Sequence, residues 1–322
     1  MGYLCSRVRW LPLLLPMLGF CQEPIRVNVH LINVAFSVLD ARGDFVNNLG
    51  QDDFEVFEDN VPQKISFFAR ASEIPLHLGL AADFSGSQAN SIKPHHKDLQ
   101  IFLKTVVSHR DDVFLLCFAN RLRLAQDVTS DTAQIVDRLD DFEHYRSGKG
   151  KFTSANFPEL GPHEIRPSTT DTAFFDAVYE SVRLKLSGNQ AGRKALVIFS
   201  DGDDNSSARD EVEAIEIAQH ADAVMFCVRY TETGKDGELT ARNKNGITVL
   251  ERMAHETGGA HFDARDKDLA AHFRQIGDQL RSSYELAYHT TNPVSDGSFH
   301  KILIRARTAG LAVRAKTGYF AR

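Results

Sequence analysis

Residues 78–91 read LGLAADFSGSQANS. The apolar run from Leu78 to Ala82 has the length and composition of a buried strand. It passes directly into Asp83, Ser85 and Ser87, which stand at alternate positions. In an open α/β sheet, ligands bind beyond the carboxyl ends of the strands. A core strand that ends on one carboxylate and two hydroxyls therefore predicts a sheet type and a site together. Gly86 gives the chain a tight path between the two serines.

The surrounding sequence agrees with a strand at this point. From Leu76 onward, apolar strands alternate with amphipathic helices. LHLGLAA, DDVFLLCFA, RKALVIFS and AVMFCVRY read as strands, and RLRLAQDVT and AHFDA as shorter ones. KDLQIFLKTVVS, TAQIVDRLDDF, TAFFDAVYESVRLKL, ARDEVEAIEIAQHA, ITVLERMAHETGG and DLAAHFRQIGDQL read as helices. This order predicts an α/β fold: a doubly wound, mainly parallel sheet with helices on both faces. The flanks differ. Residues 25–68 read as short strands around turns, one at Asp59-Asn60, and strands return after Ser282. Each flank is too small for a good core alone. The two are expected to pair into one β-rich module around the α/β domain. The expected division is a signal peptide at 1–21, a β segment at 22–73, the α/β domain at 74–282 and a second β segment at 283–322.

The chain has 322 residues, 43% hydrophobic and 25% charged, with a formal net charge of −6. That balance gives no general reason to bind nucleic acid or an acidic membrane. At the N-terminus, Arg7 and Arg9 precede WLPLLLPMLGF, Trp10 to Phe20. The apolar run is too short for a stable membrane anchor and follows positive charge, so it reads as a secretory signal. Export is expected, to the periplasm, the cell surface or the medium. Lipidation at Cys21 is disfavoured by the bulk of Phe20. Cys117 and Cys227 lie in strand-like runs and read as small buried apolar residues. No CxxC or Cys/His spacing suggests zinc or a disulfide framework.

Three polar clusters fall at or beside strand ends: Asp83-Phe84-Ser85-Gly86-Ser87, Thr172 in TTDTAFFDAV, and Ser200-Asp201-Gly202-Asp203-Asp204. Two carboxylates at neighbouring strand ends repel and are costly to desolvate unless something neutralises them. The hydroxyls of Ser85, Ser87 and Thr172 are neutral oxygen donors. Asp83 and Asp201 with these three hydroxyls suit a hard divalent cation. Mg²⁺ fits best, Mn²⁺ would substitute, and Ca²⁺ is a further candidate. Asp203 and Asp204 read as solvated loop or helix-start charges, and His95-His96 as a helix entrance.

Asp-x-Ser-x-Ser after the first strand, a Thr opening a later helix and Asp-Gly after a later strand together resemble the von Willebrand factor type A (VWA) domain. The match spans about residues 74–280. The flanking segments DDFEVFEDNVPQKISFF and SYELAYHTT…LAVRAKTGYF extend the resemblance to bacterial VWA-related proteins known from acidobacteria. The resemblance implies a metal-ion-dependent adhesion site (MIDAS) at Asp83, Ser85, Ser87, Thr172 and Asp201. It also implies metal-dependent binding rather than catalysis, with a protein partner's acidic side chain completing the coordination. The departures are Gln88 after the second Ser, TTDT with Asp171 beside Thr172, and the extra charges of Asp203 and Asp204.

Two long stretches, 143–170 and 231–246, read as loops, and the first, with Phe152 and Phe157, is expected to grip a partner. The competing readings are a Mg²⁺-dependent phosphoryl or ester hydrolase and a structural subunit with a degenerate site. The sequence lacks the second Asp of a phosphatase-type Asp-x-Asp, a P-loop and a Gly-x-Ser-x-Gly elbow.

Overall fold

The computed structural model describes residues 31–71, 74–89, 91–148, 151–161, 172–188, 192–231, 238–292 and 296–321. The expected signal segment and Asp171 lie outside these residues. Four strands come first: β1 (Leu31–Leu39), β2 (Phe54–Glu58), β3 (Val61–Gln63) and β4 (Ile65–Ala71). The α/β unit follows with β5 (Leu76–Asp83), β6 (Asp112–Phe118), β7 (Leu122–Thr129), β8 (Glu159–Leu160), β9 (Arg193–Ser200), β10 (Ala223–Arg229) and β11 (His261–Asp263). Its helices are α1 (Ile92–Val106), α2 (Thr132–Arg146), α3 (Phe174–Ser181), α4 (Glu211–His220), α5 (Ala241–Glu256) and α6 (Leu269–Arg281).

The seven strands lie in the order β11-β10-β9-β5-β6-β7-β8. From β11 to β6 the pairing is parallel, and β7 and β8 close one edge antiparallel. The fold is thus the expected α/β sheet covered on both faces. Side chains alternate across β5. Leu78, Leu80 and Ala82 pack on one face with Phe102 of α1, Phe142 of α2 and Phe273 of α6. Ala81 faces the other side, with Phe174 of α3, Ile215 of α4 and Leu250 of α5. Cys117 and Cys227 are buried, free thiols, one in each core.

At the amino ends of the strands, buried Asp111 organises the sheet. Its carboxylate accepts hydrogen bonds from the Leu76 amide (3.0 Å), the Ser108 amide and hydroxyl (2.7 and 2.8 Å) and the Arg281 guanidinium (2.7 Å). Burial alone would raise its pKa, but these donors hold it below the usual carboxylate value.

Four more strands complete the chain: β12 (Ser283–His289), β13 (Phe299–Ala306), β14 (Ala312–Ala315) and β15 (Gly318–Phe320). They combine with the first four into two antiparallel sheets, β14-β1-β12-β4 and β15-β13-β2-β3. Their shared core contains Val34, Phe36, Phe54, Tyr284, Tyr288 and Ile304. LAVRAKTGYF, which reads as one strand, is divided between the two sheets at Lys316. That ammonium reaches the Gln219 carbonyl (3.1 Å) and pairs with Asp222 of the α/β unit, which pulls the chain from one sheet to the other.

Element boundaries also depart from the sequence expectations. α1 begins at Ile92, before the expected start, and takes in Pro94 within its first turn, where no amide hydrogen is required. α5 begins at Ala241, capped by the Thr240 side chain, so the second expected loop is partly helix. The first expected loop is corrected further. α2 runs through Arg146, and Glu159–Leu160 pairs with β7 as β8. Phe157 is buried in the core between Phe142 and Tyr145, each 5.2 Å away between ring centroids. Its apolar ring gains more from the core than from water, so it is a packing residue rather than a gripping one.

Candidate metal centre

β5 lies between β9 and β6, so the chain leaves β5 in one direction and returns through β9 on the other side. This is the switch point of the sheet, where a crevice opens beyond the strand ends. Asp83 is the last residue of β5, and Asp201 follows the last residue of β9. Both are buried. The Asp83 carboxylate accepts the Ser85 amide on Oδ1 (2.8 Å) and the Ser200 hydroxyl on Oδ2 (2.6 Å). The Ser85 and Ser87 hydroxyls are 3.1 Å apart. Burial and then the charge of Asp201 push the Asp83 pKa up to about 7, against the Ser200 and Ser85 hydrogen bonds.

Thr172 is positioned by a longer route. The next residue, Ala173, donates its amide to the Ala119 carbonyl just past β6 (2.8 Å). The loop after β9 then clamps this segment. Asn205 Oδ1 accepts the Thr172 amide (2.7 Å), and the Thr172 carbonyl accepts the Asn205 and Ser206 amides (both 3.1 Å). Asp204 accepts the Phe174 amide at the start of α3 (2.8 Å), and Asp176 accepts the Ala208 and Arg209 amides ahead of α4 (both 2.9 Å). DGDDNSS is thus a positioning loop that ties Asp201 to Thr172. Asp204 caps a helix, and Asp203 pairs with Arg242.

The Thr172 hydroxyl is buried with no hydrogen-bond partner. An orphan buried hydroxyl and two mutually repelling carboxylates are incomplete polar groups. Two carboxylates and three hydroxyls supply the oxygen donors that a hard divalent cation takes. The donor set fits such an ion.

Other residues shape the site without a local sequence signal. Gly202 has φ +76°, and a Cβ there would meet the Gly246 carbonyl oxygen at 2.5 Å. A Cβ on Gly246, inside α5, would meet the Asp201 carbonyl oxygen at 2.2 Å. Two glycines therefore let α5 press against the Asp201 turn. Arg242 on α5 feels the charges of Asp203, Asp201 and Asp83. Arg146, at the end of α2, is partly desolvated and lies within electrostatic reach of Asp83. Gln88 is buried, and its amide donates to the Tyr230 carbonyl at the end of β10 (3.2 Å). His95 is buried within α1 with its ring edge-on to Tyr230, and burial lowers its pKa to about 3, so it is neutral.

A strand order that places Asp-x-Ser-x-Ser and Asp-Gly on either side of the switch point decides the fold. The α/β unit has the doubly wound architecture and the polar strand ends that the resemblance to the VWA domain implies. No family model matches the sequence, and no curated protein gives a significant match. Among solved structures, the chain is similar to an aerotolerance-related membrane protein from Bacteroides fragilis. Identity is 14% and the TM-score 0.45, covering 64% of this chain and 98% of that one. BatB from Bacteroides thetaiotaomicron has 14% identity and a TM-score of 0.43, covering 63% and 98%. Proximal thread matrix protein 1 from the mussel byssus, in a structure described as having a zinc-occupied MIDAS motif, has 13% identity. Its TM-score is 0.43, with 70% of this chain and 50% of that one covered.

Proposed function

We propose that this chain is an exported binding protein that captures a protein partner through a divalent cation. Asp83, Ser85, Ser87, Thr172 and Asp201 would hold the ion, with Mg²⁺ first and Mn²⁺ or Ca²⁺ as alternatives. The ion supplies an open coordination position that an acidic side chain of the partner fills. The observations that carry this reading are the buried, mutually repelling pair Asp83 and Asp201 and the buried, unpartnered Thr172 hydroxyl. Export is supported by Arg7, Arg9 and the apolar run Trp10 to Phe20. Among the described residues, no helix is long and apolar enough to cross a membrane. We assign 74–282 to the VWA domain and 22–73 with 283–322 to the β module. Binding is favoured over catalysis because the polar side chains around the centre are committed to positioning the loop and the helix starts.

Calorimetric titration with Mg²⁺ tests the reading. The wild-type chain should bind about one ion per molecule, and Asp83→Ala should weaken binding at least tenfold with an unchanged far-UV circular dichroism spectrum. Mg²⁺-dependent retention of a partner from the native envelope should vanish in the same variant and in EDTA. Retention that survives EDTA would rule out a metal bridge.

A further inference from the structure

A different cluster lies in the β module, in a sheet separate from the one that carries Asp83. Asp59 and Asn60 both have positive φ, 49° and 69°, and form the two-residue turn between β2 and β3. The turn docks on β13, where the Asp59 amide donates to the Lys301 carbonyl at 2.9 Å. One ligand atom each from Glu58, Asp59 and His300 lies within 4.8 Å of the other two.

Each of these side chains has one polar atom already anchored. The Thr290 hydroxyl donates to Glu58 Oε1 (2.6 Å), and the Lys301 amide donates to Asp59 Oδ1 (2.9 Å). The Ser298 hydroxyl meets His300 Nε2 at 3.2 Å. These contacts leave Glu58 Oε2, Asp59 Oδ2 and His300 Nδ1. Nδ1 and Oδ2 share a proton at 2.7 Å, with the Asn292 amide nitrogen 3.0 Å from Nδ1 and 3.4 Å from Oδ2. Glu58 is 2% exposed, and its Oε2 has no hydrogen-bond partner. A buried carboxylate oxygen without a well-formed hydrogen bond is costly and needs a reason. Burial, with the hydrogen-bonding and charge of the neighbouring Glu58 carboxylate, keeps the Tyr288 hydroxyl protonated.

We propose that Glu58, Asp59 and His300 hold a divalent transition-metal ion of the Zn²⁺ class, at a site separate from the centre at Asp83. An imidazole nitrogen with two carboxylates suits Zn²⁺, whereas Mg²⁺ and Ca²⁺ prefer oxygen alone. On binding, the ring carries its proton on Nε2, facing the Ser298 hydroxyl, and the ion takes the place between Nδ1 and Oδ2. Asp59, with its side chain 40% exposed, gives the ion a way in. Thr290, Lys301 and Ser298 orient the three ligands from behind, as outer-shell groups do at metal sites. The ion would fasten the β2–β3 turn to β13, joining strands from opposite sides of the α/β unit. Among the described residues, the other group of this kind, His96 with Asp140 and Glu143, carries no buried unpartnered atom.

The test uses the full chain as Asp83→Asn/Asp201→Asn, which disables the first centre, so the result does not depend on that reading. The metal-stripped protein is titrated with Zn²⁺ against a chromophoric chelator in excess Mg²⁺. It should take up about one ion, and its melting temperature should rise. Glu58→Gln and His300→Gln, each added to that background, should weaken Zn²⁺ binding at least ~tenfold and abolish the rise. Ser298→Ala, at an exposed position that leaves all three ligands in place, should weaken it severalfold. The proposal is overturned if the background takes up no Zn²⁺, or if the Ser298→Ala, Glu58→Gln and His300→Gln variants keep its affinity.

Discussion

Asp83 is readable as a functional residue because its partners Ser85 and Ser87 follow it along one exit from the sheet. Nothing local marks Gly246, yet its missing side chain sets where Asp201 sits. The contact crosses from α5 to the loop after β9, and sequence periodicity reports neither. Arg242 and Arg146 escape notice for the same reason: each reaches the centre from the end of a helix that is otherwise ordinary. The close approach at Gly246 gives a sharp expectation. Gly246→Ala should weaken Mg²⁺ binding about tenfold while every proposed ligand is retained, because the added methyl must push the Asp201 backbone away. Calorimetry on the variant checks this, and unchanged affinity would show that α5 does not position the site.

Among the elements, the apolar strands of the sheet were the most legible, since β5, β6, β9 and β10 are each continuous apolar runs. The segment after α2 was the least. Its length and mixed charge suggest a loop, but Phe157 reaches back 15 residues to Phe142, and composition does not encode that return. Asp111 belongs to this scale too, because it ties the start of β5 to the end of α6. Asp111→Asn should cost about 2–4 kcal/mol at neutral pH, since Arg281 and two amides lose a charged acceptor. The sign of its pH dependence follows from a folded-state pKa held below the unfolded one. The stabilisation is present above the ordinary carboxylate pKa of about 4 and is lost as pH falls through the lower folded value. Chemical denaturation of wild type and variant between neutral pH and about pH 2 should show the two stabilities converging in acid.

For the molecule as a whole, fold class was legible because the period of the apolar pattern changes from two to nearly four at Leu76 and back again after Ser282. The division of the last strand at Lys316 was not, because it is imposed by a contact with Asp222 in a different unit. Neither small sheet is made from one flank alone: β1 pairs with β12 and β14, and β2 with β13. A chain ended after Arg281 should therefore uncover Phe36, Phe54 and Phe68 and aggregate, which light scattering of the truncated protein would reveal. The same interleaving has a consequence in time. Leu49 bonds to the hydroxyl of Tyr284 across 235 residues. At a synthesis rate of roughly 5–20 residues per second, the first strands wait on the order of 10–50 s for their neighbours. Throughout that interval they present bare edges and aromatic side chains, so the newborn chain has every physical reason to travel under the cover of a chaperone.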